Sequence, residues 1–254
     1  MKTIDNTIDS SIDRSSDRSA PAAITALADP PVGPVTRRLD ERRLAGIGAI
    51  GFATLVVITN VLQGATPALN AEASEIVEYL TDHRAENIFA TVAFALGAPF
   101  LLMFASAFYG RLQAIGRKED LVWARFGMIG ALLILPMFAA VVVQRLVLLV
   151  GTDEIIGSPE LVTFAWRIEM AAFQVNLLPV SAAVLGFGIA GARAGLLPAW
   201  FRRWSPVAAV VGVTAAACAV AGLEGSPIGF AGLVPFATWM ALLFTAGVRQ
   251  LRSV

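Results

Sequence analysis

Residues 158–190 read SPELVTFAWRIEMAAFQVNLLPVSAAVLGFGIA. The run is long and apolar enough to cross a membrane as a helix, since about 18 uninterrupted apolar residues already suffice. It also carries the densest polar set in an otherwise oily chain: Arg167, Glu169, Gln174 and Asn176. A helix turns about 100° per residue, so positions seven apart share a face. Arg167 therefore lines up with Gln174, and Glu169 with Asn176, on two nearly opposite faces. Polar groups at membrane depth turn toward other helices or a wet cavity, so a span polar on two sides is expected to be central in its bundle.

Composition sets the class around that span. Hydrophobic residues make up 57% of the 254 and charged residues 15%, far from the soluble norm. Lys and Arg balance Asp and Glu at 19 each, so no basic field points to nucleic acid. The single cysteine, Cys218, excludes an intramolecular disulfide and a cysteine-cluster metal site; its apolar run predicts a buried thiol.

Residues 1–36 are polar and carry a degenerate four-residue repeat, Thr3-Ile4-Asp5-Asn6, Thr7-Ile8-Asp9-Ser10, Ser11-Ile12-Asp13-Arg14 and Ser15-Ser16-Asp17-Arg18. With so little apolar content the stretch cannot bury a core, which predicts a disordered tail. No apolar h-region follows its first basic residue, so it does not read as a signal peptide. Pro30, Pro31 and Pro34 mark the entry into a membrane domain over 37–254. Six spans are predicted there, at about 44–63, 85–110, 121–150, 159–190, 205–222 and 230–248. Pro99, Pro136 and Pro179 fall inside three successive spans, each removing a backbone hydrogen bond and favouring a kink. Ser205-Pro206 reads as cap and first turn of the fifth span. Between the first two spans, 73–83 places Ile76, Val77 and Leu80 on one face and Glu75, Glu78 and Asp82 on the other, the pattern of a short helix lying on the membrane surface.

Six spans put both termini on one side. On that side fall seven Lys and Arg before the first span, four between the second and third, three between the fourth and fifth, and two at the end: 16 of the 19. Only Arg84, Arg145 and Arg167 lie toward the other. The positive-inside bias then predicts cytoplasmic termini, in an inner (plasma) membrane protein with several crossings. Trp123, Trp200 and Trp204 fall at the inner boundary, where interfacial anchors belong.

The turn Gly195-Leu196-Leu197-Pro198-Ala199-Trp200-Phe201, between a glycine-rich span and another apolar one, resembles bacterial multi-helix membrane proteins of the DUF4386 type. The segment Tyr79-Leu80-Thr81-Asp82-His83-Arg84 is similar to uncharacterised actinobacterial multi-helix membrane proteins. The resemblance extends over the membrane domain. It implies a polytopic fold and no particular chemistry, so it brings no site residues with it.

The candidate site is an outer polar layer: Asn60, Gln63, Glu86, Asn87, Gln144, Arg145, Arg167 and Glu169. At 1.5 Å per residue, Arg145 lies about 33 Å beyond Trp123 and Arg167 about 34 Å beyond Ala190. That is close to the thickness of a hydrocarbon core of roughly 30 Å. The arginines therefore sit near the outer interface. One reading pairs them with Glu86 and Glu169 as interfacial anchors; the other makes the layer the mouth of an outward-facing pocket for a lipid head or small molecule. Gln174 and Asn176 lie about 21–24 Å in by the same count, as cavity walls or interhelical hydrogen bonders. His83 with Glu78, Tyr79 and Asp82 is a weak metal pattern, and an exposed surface histidine is the favoured reading. Phosphate loop, nucleophile elbow and dinucleotide fingerprint are all missing, and Gly46, Gly48 and Gly51 form a glycine face within a span instead. The sequence thus points to an uncharacterised integral membrane protein with no catalytic residues, metal or cofactor assigned. The leading expectation is a non-enzymatic binding, scaffold or accessory protein with membrane lipids as partners, and a membrane-protein partner or a second copy stays open. The alternatives are a small transporter of an amphipathic solute, and an intramembrane enzyme using Glu169 or Glu86 as acid or base.

Overall fold

The computed structural model describes residues 40–68, 70–151, 155, 157–219 and 227–252. The tail expected over 1–36 lies outside the described residues. The described chain is helical throughout: α1 Glu41–Gln63, α2 Ala73–Asp82, α3 Arg84–Ile115, α4 Asp120–Val150, α5 Pro159–Arg193, α6 Phe201–Ala217, a 3-10 turn Pro227–Gly232 and α7 Leu233–Arg252. It is an all-α, polytopic membrane protein. Large apolar side chains such as Val61, Phe89, Val122, Val150 and Val210 stay exposed on the helix exteriors, an arrangement water would not tolerate and lipid favours.

Among the described residues, five helices are long and apolar enough to cross a membrane: α1, α3, α4, α5 and the segment Phe230–Arg252. The expectation of six is corrected at α6. That helix has 17 residues, and its first four, Phe201-Arg202-Arg203-Trp204, belong to the charged turn. Its described apolar part, from Ser205 to Ala217, spans about 20 Å, short of a hydrocarbon core of about 30 Å. Residues 220–222, the predicted end of that span, lie outside the described residues. Ser205 is not a cap either: the helix starts at Phe201, and Ser205 is buried inside it, its hydroxyl against Gly188. Gly212 meets Ser181 in the same antiparallel register. Extending that register brings Ala217 level with Asn176, about halfway along the 35 residues of α5.

Glycine sets the closest helix contacts. A Cβ on Gly48 would come within 2.5 Å of the Phe104 backbone nitrogen, so α1 lies directly on α3. Gly186 stands against Gly127 in the same way, and a Cβ on Gly130 would come within 2.5 Å of the Ala183 nitrogen. Small residues thus let α4 and α5 pack backbone to backbone, where lipid offers no competing hydrophobic drive. The antiparallel neighbours Gly46 and Leu251 place the start of α1 and the end of α7 at one end of the bundle, where Glu41 also lies over Gly110. α2 is at the other end.

Pro99, Pro136 and Pro179 do not break their helices: α3, α4 and α5 run through them. The bundle centre is aromatic. Phe104 and Phe108 stack at 5.2 Å, Phe187 meets Phe108 edge-on at 5.3 Å, and Trp239 meets Phe104 at 6.0 Å. A second apolar cluster joins α2 to the ends of α4 and α5 through Ile76, Tyr79, Leu80, Leu148, Leu149, Val162 and Trp166. The amphipathic helix predicted at 73–83 therefore exists, but its apolar face docks on protein. Its buried positions are Ile76, Tyr79 and Leu80, with Val77 at the edge of the cluster. Trp200 and Trp204 are exposed, and Cys218 is half-buried at the end of α6.

Candidate functional site

The polar layer predicted from the sequence resolves into one buried cluster around Arg145 and Glu169. Arg145 comes from α4 and is 2% exposed; Glu169 comes from α5 and is fully buried. Arg145 Nε donates to both carboxylate oxygens of Glu169 at 3.0 Å, and Nη2 forms a further ion pair with Oε1. Arg145 Nη1 donates to Asn87 Oδ1 at 2.9 Å, so α3 joins the cluster. The Trp166 ring lies 5.9 Å from the guanidinium carbon, within cation–π range. Asn87 is fixed in turn: its Nδ2 donates to the His83 carbonyl at 2.9 Å. Tyr79 closes the cluster from α2, its hydroxyl placed to donate to Asn87 Oδ1 at 3.1 Å or to the Gln63 carbonyl at 2.9 Å. Burial pushes the Tyr79 phenol above its ordinary value, against opposing contributions from Arg145 and Asn87, so at neutral pH it acts as a donor.

The six candidate residues divide. Arg145 and Glu169 form the pair. Glu86 is exposed and takes no part; Asn87, one residue on, fills its place as α3's contribution. Arg167 is exposed too, on a shallow surface with Glu160, Thr163 and Phe164. The two-faced reading of α5 holds at Gln174, whose amide oxygen is buried, but not at Arg167 one face-repeat earlier. Glu169 and Asn176 are buried, whereas Arg167 is about two turns from the helix start, where a long cation reaches the interface. Tyr79 and Trp166 were not anticipated in the cluster. The available signal was spacing, because Trp166 precedes Glu169 by three residues and shares its face.

Gln174 and Asn176 line something else. A cavity of about 640 Å³ opens among α1, α3, α4, α5 and α7, beneath the loop carrying Thr66, Pro67, Ala68 and Asn70. Its walls are aromatic and thioether: Phe52, Phe94, Phe138, Phe173, Trp239 and Met170 among them. No Asp, Glu, Lys or Arg is among the described lining residues. Into this apolar space face Asn60, Gln174 and Asn176. Asn60 Nδ2 donates to the Val56 carbonyl at 2.8 Å. Gln174 Oε1 and Asn176 Oδ1 are buried and have no hydrogen-bond partner among the described residues, although Asn176 is 9% exposed overall. Buried amide oxygens left so cost about 1–3 kcal/mol each. A smaller crevice of about 40 Å³ shares Asn60, Phe94 and Phe173 with the cavity and reaches Arg145.

At the other end of the bundle Arg193 pairs with Asp120 at 2.9 Å, the arginine 40% exposed. His83 is exposed. Among the described residues no three His, Cys, Asp or Glu side chains gather as a metal site would require. Compared with family models, with curated proteins and with solved structures, the chain matches none of them. The resemblance of its turn and its short helix to DUF4386-type and actinobacterial membrane proteins therefore gains no support from a family match.

Proposed function

We propose that the protein is a membrane-embedded binding protein that holds an uncharged amphipathic molecule, with an apolar body and a hydrogen-bonding head, in the cavity between α1, α3, α4, α5 and α7. One observation carries the reading: two carboxamide oxygens, on Gln174 and Asn176, are buried without a hydrogen-bond partner among the described residues, in a mostly apolar cavity of about 640 Å³. A few placed polar groups in a mostly apolar hollow is the usual composition of a small-molecule site. An uncharged ligand fits because the described lining carries no charged side chain and the ions of the adjoining cluster, Arg145 and Glu169, already neutralise each other. Binding fits better than transport, because the aromatic packing of Phe104, Phe108, Phe187 and Trp239 closes the path toward the Arg193 end. Binding also fits better than acid–base catalysis, because both Glu169 oxygens accept from Arg145. The charge count supports a plasma-membrane orientation with cytoplasmic termini and the cavity toward the outer leaflet.

The test uses 1-hexadecanol and hexadecanoate, which share a chain and differ in head charge, titrated against the detergent-purified full chain. Binding should favour the alcohol and fall at least tenfold in Asn176→Leu, while Arg167→Ala binds as the parent does. The Asn176→Leu chain should remain folded, since the change removes a buried amide oxygen that has no partner among the described residues and keeps the number of side-chain heavy atoms. Equal binding of the two probes, or an unchanged affinity in folded Asn176→Leu, refutes the reading.

A further inference from the structure

The cavity wall is aromatic to a degree the rest of the chain is not. Seven of its 22 described lining residues are Phe or Trp, against 9% aromatic residues in the chain, and Met170 and Met240 add two thioethers. Granted that the cavity is a binding site whose amides meet the head of its ligand, we propose that this head is a hydroxyl-bearing aromatic ring on an alkyl chain.

Four of the rings form a continuous strip, one from each of four helices. Phe52 on α1 stacks on Phe138 on α4, with centroids 5.7 Å apart and planes inclined by 24°. Phe138 meets Phe94 on α3 at 4.0 Å, and Phe94 meets Phe173 on α5 at 6.4 Å. The strip therefore ends beside the two amides: Gln174 follows Phe173 directly, and Asn176, three residues on, shares its side of the helix.

A plain alkyl chain would be served as well by aliphatic walls. The chain has such residues in number and leaves many of them on helix exteriors, Val61, Leu96, Val122 and Val150 for example. Its other aromatic group behaves differently too. Phe104, Phe108 and Phe187 pack on one another at 0% exposure, and none of them lines the cavity. Phe138 is only half-buried by protein and Phe173 is 36% exposed, yet both border the hollow. An aromatic ring laid against them gains stacked or edge-on contacts that a saturated group does not make. Thioether sulfur favours the same partner. A hydroxyl on that ring supplies the donor for an amide oxygen that has no partner among the described residues.

The experiment compares 4-dodecylbenzyl alcohol with (4-dodecylcyclohexyl)methanol, which carry the same hydroxymethyl group and chain and differ in saturation of the ring. 1-Hexadecanol is the ringless reference. Each is titrated against the detergent-purified full chain, with concentrations expressed as mole fraction in the micelle. The aromatic alcohol should bind at least about fivefold tighter than the saturated one. Phe138→Leu should bring that ratio below about twofold and leave 1-hexadecanol within about twofold of the parent. Phe173→Leu, at a more exposed position, makes the same test where Phe138→Leu does not fold. Equal affinity for the two ring alcohols overturns the proposal, as does an undiminished ratio in the folded variant. An equal loss of all three probes also overturns it, because the phenyl group would then only shape the hollow. Failure of the binding reading looks different: 1-hexadecanol then does not bind or is indifferent to Asn176→Leu. If only the aromatic preference is wrong, 1-hexadecanol still binds through Asn176 and the two ring alcohols are equivalent.

Discussion

Replacing Glu169 by Gln leaves the Arg145 guanidinium in place with its counter-charge removed. Arginine cannot shed its proton, and at 2% exposure it cannot reach water without moving a helix. Asn87 would still accept one hydrogen bond, and the new amide could accept another, so the loss is chiefly of charge. Removing one partner of a buried ion pair costs about 3–5 kcal/mol. At about 2–4 °C per kcal/mol for a chain of this size, that lowers the Tm by about 6–20 °C. The control is Asp120→Asn, whose partner Arg193 is 40% exposed and can turn to solvent; about 1 kcal/mol or less is expected there. Scanning fluorimetry of both full-length variants in one detergent makes the comparison. The double variant Arg145→Met, Glu169→Leu should recover most of the loss, because an apolar pair of similar volume strands no charge. Losses within 1 kcal/mol of each other for Glu169→Gln and Asp120→Asn would refute the account of the cluster as a desolvated ion pair, as would a double variant no better than the single.

Gly186→Leu should prevent folding or cost several kcal/mol, because a Cβ there meets the Gly127 backbone; expression and a monodisperse elution profile report it. Tyr79→Phe should cost about 1 kcal/mol for its lost donor. The raised Tyr79 phenol favours the protonated form in the fold, so its contribution is complete below pH 10 and lost as pH rises through the folded value; the parent should therefore lose stability at alkaline pH more steeply than Tyr79→Phe. In a Cys218→Ala background, an impermeant thiol reagent applied to intact cells should label a cysteine at Ser74 and spare one at Lys118; the reverse pattern inverts the orientation. Deleting residues 1–36 should leave the Tm unchanged within error, and a drop of several degrees would show that they stabilise the helical domain.

Helix number and depth were legible only where length and hydropathy speak together. α1, α3, α4 and α5 each exceed 20 residues, so a run of apolar residues could only be a span. At α6 the described helix begins on the charged side, at Phe201–Trp204, which leaves Ser205–Ala217 as its apolar part. The ion pair was legible in part. Its members share a membrane depth on consecutive antiparallel helices, which rise per residue predicts. Rise alone does not give rotation about the helix axis, and that is what separated Asn87 from Glu86 and Glu169 from Arg167. The aromatic cavity was invisible, since Phe52, Phe94, Phe138 and Phe173 come from four helices whose pairing no local pattern encodes.

The two polar features adjoin each other: Asn60, Phe94 and Phe173 line both the cavity and the crevice that reaches Arg145. In a tightly packed apolar interior the amide oxygens of Gln174 and Asn176 would be excluded by their desolvation cost; here they face a hollow among α1, α3, α4, α5 and α7. The α2 end is then held by the Arg145–Glu169 cluster, with α2 docked through Tyr79 and Trp166. A charged clamp beside an apolar cavity would ordinarily attract an ionic ligand. Here the charges cancel within 3.0 Å, and Arg145 points its remaining nitrogen at Asn87. The field reaching the cavity is that of a compact dipole. The clamp can therefore fasten the helices around the hollow while leaving its choice of ligand to the amides and the aromatic walls.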